Sequence, residues 1–251
     1  MSFVVIITAR YSSTRLPGKP LLDVSGKSMI QRVWEQAVKS AASRVIIATD
    51  DQRIENAARQ FGGEVCMTRD DHTSGTDRLA EVVDWAGFGS EQIVVNVQGD
   101  EPLIPPQVID QVADNLVRCA DAGVATLCEP ITDISEFHNP NVVKVVFDRC
   151  ELACYFSRAP IPWPRDGFEN DKFHANRHIG IYAYRVQQLR AFVNWHVALM
   201  EKQESLEQLR FLYNDVQIHV SESIAKVPGG VDTQSDLDAV NALLHRTKSA
   251  T

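Results

Sequence analysis

Phe3-Val4-Val5-Ile6-Ile7 and the loop after it, Thr8-Ala9-Arg10-Tyr11-Ser12-Ser13-Thr14-Arg15-Leu16-Pro17-Gly18-Lys19, decide how the rest of the chain is read. An unbroken run of branched apolar residues is the mark of a strand buried on both faces, the situation of a parallel sheet covered by helices. Working outward, Met29, Ile30, Val33, Trp34, Ala37 and Val38 share one helical face, and Val45-Ile46-Ile47-Ala48 is the next strand. Ile54, Ala57, Ala58 and Phe61 repeat at helical spacing and are closed by Gly62-Gly63; a short strand at Val65–Met67 follows. A third helix carries Leu79, Val82, Val83 and Ala86, the strand Ile93–Val97 comes next, and a fourth helix starts after Pro105-Pro106 with Ile109, Val112, Ala113 and Leu116. This alternation predicts right-handed βαβ units and an α/β fold with a mostly parallel central sheet.

Beyond about residue 124 the pattern changes. Val124–Cys128, Val142–Phe147, Leu152–Phe156 and Ile179–Tyr184 read as strands separated by Pro- and Asn-rich turns, which predicts an antiparallel excursion or a strand-rich dimerisation subdomain. A helix around Glu201–Tyr213, a strand at Ile218–Val220 and a last helix opening at Thr233, with Asp236 three residues on as in a capping box, complete the reading. The expectation is one domain over residues 1–251, with the excursion at approximately 131–195.

The composition is globular: 251 residues, 44% hydrophobic and 23% charged. Twenty-five Lys and Arg against 33 Asp and Glu leave a net charge of −8, which argues against nucleic acid or an anionic membrane as partner. No stretch reaches the ~18 apolar residues of a membrane span, and the N-terminal run has no basic segment before it, so no signal peptide is expected. Five cysteines without Cys-x-x-Cys spacing (Cys66, Cys119, Cys128, Cys150, Cys154) predict free, mostly buried thiols and a cytoplasmic location.

In open α/β sheets ligands bind beyond the carboxyl ends of the strands. The loop after the first strand places Arg10, Arg15 and Lys19 there beside hydroxyls such as Ser13, an arrangement suited to a polyanion; each charge pair at ~4 Å contributes about 4 kcal/mol before desolvation. Its spacing fits neither the dinucleotide fingerprint nor the P-loop. Gln98-Gly99-Asp100-Glu101 follows a buried strand, so Asp100 is either a turn residue or a ligand for a hard cation such as Mg²⁺. Asp232 is either a second metal carboxylate or a residue favouring the dipole of the last helix. Ser74 and Gly75, with Arg78 one turn in, form an N-cap or an anion site at a helix start. Arg158, Arg177 and His178, beside Tyr182, are the cations an acidic sugar would need, although a buried, hydrogen-bonded His178 is the plainer reading.

Taken together, Ala9-Arg10 through Arg15-Leu16-Pro17-Gly18-Lys19-Pro20, Ala48-Thr49-Asp50-Asp51, Ser74-Gly75-Thr76-Asp77-Arg78, Val95–Pro102, Tyr155–Trp163, Arg177–Tyr182 and Leu206–Arg210 resemble, in order, the motifs of the sugar nucleotidyltransferases. The resemblance is to their 3-deoxy-manno-octulosonate (Kdo) cytidylyltransferase branch and covers nearly the whole chain. It implies a Rossmann-like nucleotidyltransferase fold and a homodimer that makes CMP-Kdo and pyrophosphate from CTP and Kdo, for lipopolysaccharide synthesis. It implies that Arg10, Ser13, Arg15 and Lys19 hold the CTP phosphates and that Ser74, Gly75 and Arg78 help bind nucleotide. Asp100 and Asp232 would be the Mg²⁺ carboxylates, and Asp100, Asp232, Lys19 and Arg15 the catalytic set. Gln98, Arg158, His178, Tyr182, Glu207 and Gln208 would line the Kdo pocket. Two departures stand out: Thr8 replaces the usual proline of Ile-Pro-Ala-Arg, and Pro228-Gly229-Gly230-Val231-Asp232 is one residue shorter than the usual turn. The rival readings are a related transferase using sialic acid or 8-amino-Kdo, a metal-dependent glycosyltransferase, against which Gln98-Gly99-Asp100 stands where its Asp-x-Asp motif would be looked for, and a nucleotide-binding protein without turnover.

Overall fold

A computed structural model describes residues 2–12, 16–72, 74–165, 167 and 173–249, with side chains as far as 246. Ser13 and Arg15 lie outside the described residues. The strands are β1 (Phe3–Ala9), β2 (Arg44–Thr49), β3 (Glu64–Met67), β4 (Ile93–Gln98), β5 (Val124–Pro130), β6 (Lys144–Phe147), β7 (Ala153–Ser157), β8 (Asn176–Arg185) and β9 (Ile218–Glu222). The helices are α1 (Met29–Ala37), α2 (Gln52–Gln60), α3 (Gly75–Trp85), α4 (Pro106–Arg118), α5 (Ile134–His138), α6 (Val186–Phe192), α7 (Leu199–Glu204), α8 (Gln208–Tyr213) and α9 (Gln234–Ser249); a 3₁₀ turn spans Lys19–Leu21.

The sheet runs in the order β3-β2-β1-β4-β8-β5-β9. Pairing is parallel from β3 to β4 and between β5 and β9, while β8 runs antiparallel to both β4 and β5. Alternation along β1 divides the core: Phe3, Val5 and Ile7 face a layer containing α1, α2 and α4, and Val4 and Ile6 face one containing α3, α6 and α8. The result is a three-layer α/β sandwich, as the buried branched run of β1 requires.

The strand-rich half is less separate than its sequence suggests. Its last strand, β8, enters the middle of the sheet, and the β6–β7 hairpin pairs onto β8 through Lys144↔Arg177 and Val145↔Asn176. Between β5 and β8 the register jumps from Thr126↔Tyr182 to Leu127↔Ile179. The Thr126 hydroxyl fills that irregularity, 2.7 Å from Ile181 O and 3.0 Å from Ile179 O. Such irregularities disrupt the ladder locally and redirect side chains, often beside active sites.

Three further expectations need correcting. The single helix over Glu201–Tyr213 is two short ones, α7 and α8, because Ser205 adopts φ 52° and ends the first. Two helices, α5 and α6, stand where none was expected; α6 follows β8 without a turn signal, with Val186, Leu189 and Phe192 buried. The five cysteines are free, but only Cys66 and Cys128 are buried; Cys150 and Cys154 are exposed in the β6–β7 hairpin. No helix among the described residues is long and apolar enough to cross a membrane.

Candidate active site

Close packing of two strand ends creates the site. At the end of β4, a side chain on Gly99 would place its Cβ 2.7 Å from the carbonyl oxygen of Thr8 at the end of β1. Only glycine allows that approach, which is sealed by a hydrogen bond of 3.0 Å from the Gly99 N–H to Thr8 O. Asp100 is thereby delivered to the mouth of the cationic loop. On the other side of the mouth Gly18, with φ 67°, packs against the Tyr11 ring and begins the 3₁₀ turn that carries Lys19. The guanidinium of Arg53 stacks 3.3 Å from the centre of the same Tyr11 ring.

The third contribution comes from the C-terminal helix. Val24, Met29, Val231, Leu237 and Val240 form a small core of their own that docks α9 beside the 3₁₀ turn. The Val231 N–H donates to Asp100 O at 2.8 Å, and Asp236 Oδ2 accepts from the backbone N–H groups of Asp232 (3.1 Å) and Thr233 (2.8 Å). The expected capping arrangement therefore also fixes the backbone of Asp232, and the short turn reaches the site. Lys19 Nζ donates to Asp100 Oδ2 at 2.6 Å and to Asp232 Oδ1 at 3.0 Å. Burial works to lower the Lys19 pKa, but the charges and hydrogen bonds of Asp100 and Asp232 outweigh it and hold the value above the ordinary one. Lys19 is 13% exposed, whereas Asp100 and Asp232 are 29% and 44% exposed, so both carboxylates still face the cleft.

This cleft, of about 450 Å³, is lined by Arg10, Ser12, Lys19, Gly75, Arg78, Gln98, Asp100 and Asp232 among others. Arg10 donates to the carbonyls of His72 (3.1 Å) and Ser74 (3.0 Å), tying the β1 loop to the start of α3. Ser74 caps α3 by accepting from Asp77 N–H at 3.0 Å while Asp77 accepts from Ser74 N–H at 3.1 Å, so the plain N-cap reading of Ser74 is realised at the wall of the cleft. Arg78 is fully buried, its guanidinium paired with Asp50 and Thr68. It shapes the cleft floor with its charge already balanced. Thr8 places its hydroxyl 3.4 Å from Asn96 Oδ1 and 3.3 Å from Gln98 Oε1, a polar link that proline cannot make. Glu101 carries no site signal in the sequence, yet burial, with Asp100 beside it, pushes its carboxyl up to about 8, and Oε2 finds no partner.

A second cavity of about 330 Å³ adjoins the first and shares Gly75 and Gln98 with it. Tyr182, Tyr184, Glu207 and Gln208 line it, together with Thr76 and Asn96. Gln208 is buried, yet its Nε2 has no partner, leaving an unmet donor at the cavity wall. Four of the six residues expected around a sugar thus converge; Arg158 and His178 are not among those lining the cavity. Arg158 spends its guanidinium on the carbonyls of Glu204 (2.6 Å), Pro140 (3.0 Å) and Ser205 (3.4 Å), which makes it a brace behind the cavity. Arg177 is committed to Glu129, at 2.9 Å through Nε. His178 lies between Phe156 and Tyr182, with Nε2 3.0 Å from the Thr126 hydroxyl. Burial pushes its pKa down to about 3, so it is neutral near pH 7 and offers hydrogen bonding without charge. Thr76, Asn96 and Tyr184, cavity residues missed from sequence, sit inside or next to quoted motifs; their cavity faces depend on how α3, β4 and β8 come together.

The arrangement joins a cationic cleft with two convergent carboxylates to a polar cavity, which suits transfer between a polyphosphate and a hydroxylated partner. Residues 4–218 match the family described as cytidylyltransferase. The 3-deoxy-manno-octulosonate cytidylyltransferase of Cellvibrio japonicus is 60% identical over 97% of this chain and 98% of its own. That of Pseudomonas syringae pv. tomato is 57% identical, also over 97% of this chain and 98% of its own. Among solved structures, a CMP:2-keto-3-deoxy-manno-octonic acid synthetase complexed with CTP superposes with a TM-score of 0.91 at 43% identity, over 98% of this chain and all of that one. The chain belongs to the cytidylyltransferase family, among the 3-deoxy-manno-octulosonate cytidylyltransferases.

Proposed function

We propose that this chain activates 3-deoxy-D-manno-octulosonate with CTP to give CMP-Kdo and pyrophosphate, for lipopolysaccharide synthesis. The observation that carries the proposal is the continuity of the two cavities through Gly75 and Gln98, in a fold that superposes over 98% of its length on a CTP-complexed synthetase. CTP occupies the cationic cleft, its phosphates on Arg10, Lys19 and, by resemblance, Ser13 and Arg15. The sugar lies against Gln98, Tyr182, Glu207 and Gln208, where a carboxylate and an unmet amide donor suit hydroxyls and acceptors. The anomeric 2-hydroxyl attacks the α-phosphorus in line: a new P–O bond forms, the α-phosphorus–oxygen bond to the β-phosphate breaks, and pyrophosphate and the hydroxyl proton are released. Such transfers depend on positioning and charge stabilisation.

Asp100 and Asp232 would hold Mg²⁺. Their fit rests on two oxygens within 3.0 Å of a single ammonium and on their remaining exposure, since Mg²⁺ takes one or two carboxylates and completes its shell with phosphate and water. Bound there, the ion would act as a Lewis acid on phosphoryl oxygen. Lys19 keeps the two carboxylates together and stays cationic beside the triphosphate. A homodimer through residues 131–195 is supported by apolar surface at Ile134 and Trp163, 40% and 60% exposed, and a cytoplasmic location by five free cysteines.

The test is pyrophosphate release with CTP and Mg²⁺, comparing Kdo, 8-amino-Kdo, N-acetylneuraminate and no sugar. Release that depends on Kdo and is abolished by EDTA is expected. Release with only another acidic sugar would transfer the activity to that substrate, and CTP binding without turnover would make the chain a binding protein.

A further inference from the structure

The first turn of α3 belongs to both cavities. Gly75 lines each of them, and the next residue, Thr76, lines the sugar cavity while being only 5% exposed. Its hydroxyl donates to Glu207 Oε2 at 2.8 Å, across 131 residues of sequence. Glu207 sits at the N-cap position of α8, but its carboxylate does not cap that helix; it is held from the opposite wall. The Tyr184 phenol, also in that wall, lies beside the same threonine. Thr76 is itself well fixed. The Ser74–Asp77 capping box closes the turn around it, and its β-branch restricts the side chain to few rotamers. Arg10, at the nucleotide end, grips the carbonyls of His72 and Ser74 just before it.

We propose that Thr76 is a positioning residue for the sugar half of the reaction: it aims the Glu207 carboxylate from a turn whose other face belongs to the nucleotide. This rests on the function proposed above and adds the device that sets the Glu207 carboxylate of the sugar cavity against the nucleotide turn. Glu207 touches the sugar; Thr76 acts through Glu207. A hydrogen bond to a charged acceptor is among the stronger ones in a protein, so its loss should register on the ligand that Glu207 serves.

The experiment uses the full chain and measures steady-state pyrophosphate release with CTP and the acidic sugar varied separately, for wild type, Thr76→Val, Thr76→Ser, Glu207→Gln and the double variant Thr76→Val/Glu207→Gln. Thr76→Val keeps the shape and removes the hydroxyl. It should raise KM for the sugar about tenfold while KM for CTP stays within about twofold, and Thr76→Ser should restore the sugar KM. The double variant should be no worse than Glu207→Gln alone, because coupled residues do not add. An unchanged sugar KM in Thr76→Val, equal losses on both substrates without rescue by serine, or additive losses in the double variant would each overturn the assignment while leaving the proposed function intact. A wild-type chain inactive with every acidic sugar would overturn the proposed function, and this inference with it.

Discussion

Replacing Gly99 with alanine adds one carbon just past the end of β4, where the chain packs against the end of its parallel neighbour β1. The new Cβ would stand 2.7 Å from Thr8 O, about 0.7 Å inside ordinary contact, which begins at 3.4 Å. The obstructing atom is backbone and accepts the Gly99 N–H bond, so no side chain can swing away to relieve it. The strand ends must separate, and Asp100, one residue on, moves with them. A misplacement of about 1 Å in a catalytic group costs on the order of 10²-fold in rate, so a shift of this size should lower kcat ten- to a hundredfold, or about 1.4 to 2.7 kcal/mol in barrier. Overpacking should also cost about 1 to 3 kcal/mol of stability. The assay is pyrophosphate release at saturating CTP, sugar and Mg²⁺, paired with urea unfolding. Gly89→Ala is the control, since an added Cβ there meets nothing within 4 Å. If Gly99→Ala keeps kcat within threefold of wild type, the claim that this contact positions Asp100 is refuted.

Asp100→Asn should lose at least about 3 kcal/mol of transition-state stabilisation, roughly 10²-fold in rate; near-normal turnover in saturating Mg²⁺ would refute the proposed role of Asp100 as a Mg²⁺ ligand. Lys144 is fully buried and donates to the carbonyls of Asn139 (3.0 Å), Val142 (2.5 Å) and Arg158 (2.8 Å), with burial lowering its pKa. Lys144→Met leaves those carbonyls without this donor and should lower unfolding stability by about 3 kcal/mol; a loss under about 1 kcal/mol in urea titration would contradict the bracing role. His178 has a folded pKa of about 3 against an ordinary 6.5, so between these values the unfolded chain binds a proton that the folded one does not. Its contribution to stability is thus present above pH 6.5 and lost as pH falls toward 3. Melting curves of wild type and His178→Gln should converge or cross as pH drops from 6.5 to 5, whereas parallel curves would count against a neutral buried imidazole.

The central strands were legible because their physics is local. A short branched apolar run, as in β1 and β4, fits a strand covered by helices on both faces better than a half-exposed one. The neighbours of β8 were not legible: its alternation says strand, but its seat between β4 and β5 depends on which edges the rest of the sheet leaves open. The break at Ser205 was hidden because serine carries none of the signal that glycine gives for positive φ, and Leu206 and Leu209 continue the helical rhythm across it. In the site, Lys19, Asp100 and Gly75 could be found from their position after strands, whereas Gln98, the last residue of β4, entered through the family resemblance. Arg158 looked like a free fork for a carboxylate, since sequence does not reveal that the turn at 204–205 turns its carbonyls toward it. Thr76 was hidden for a related reason, because its partner is an acid brought across from a helix 131 positions later.

The placement of β8 also governs the order in which the chain can fold as it is made. β4 ends at residue 98 and β5 at residue 130, yet the strand that joins them emerges only at residues 176–185. At the usual 5–20 residues per second, the exposed edge of β4 waits roughly 4 to 17 s for its partner to be synthesised. In that interval the four N-terminal strands form a sheet whose β4 border, highly apolar and paired in the finished fold, stands open, the kind of edge that captures other chains. A ribosome-bound fragment ending near residue 150 should therefore be the most aggregation-prone length of this polypeptide, and release from that hazard should come abruptly once residue 185 has cleared the exit tunnel.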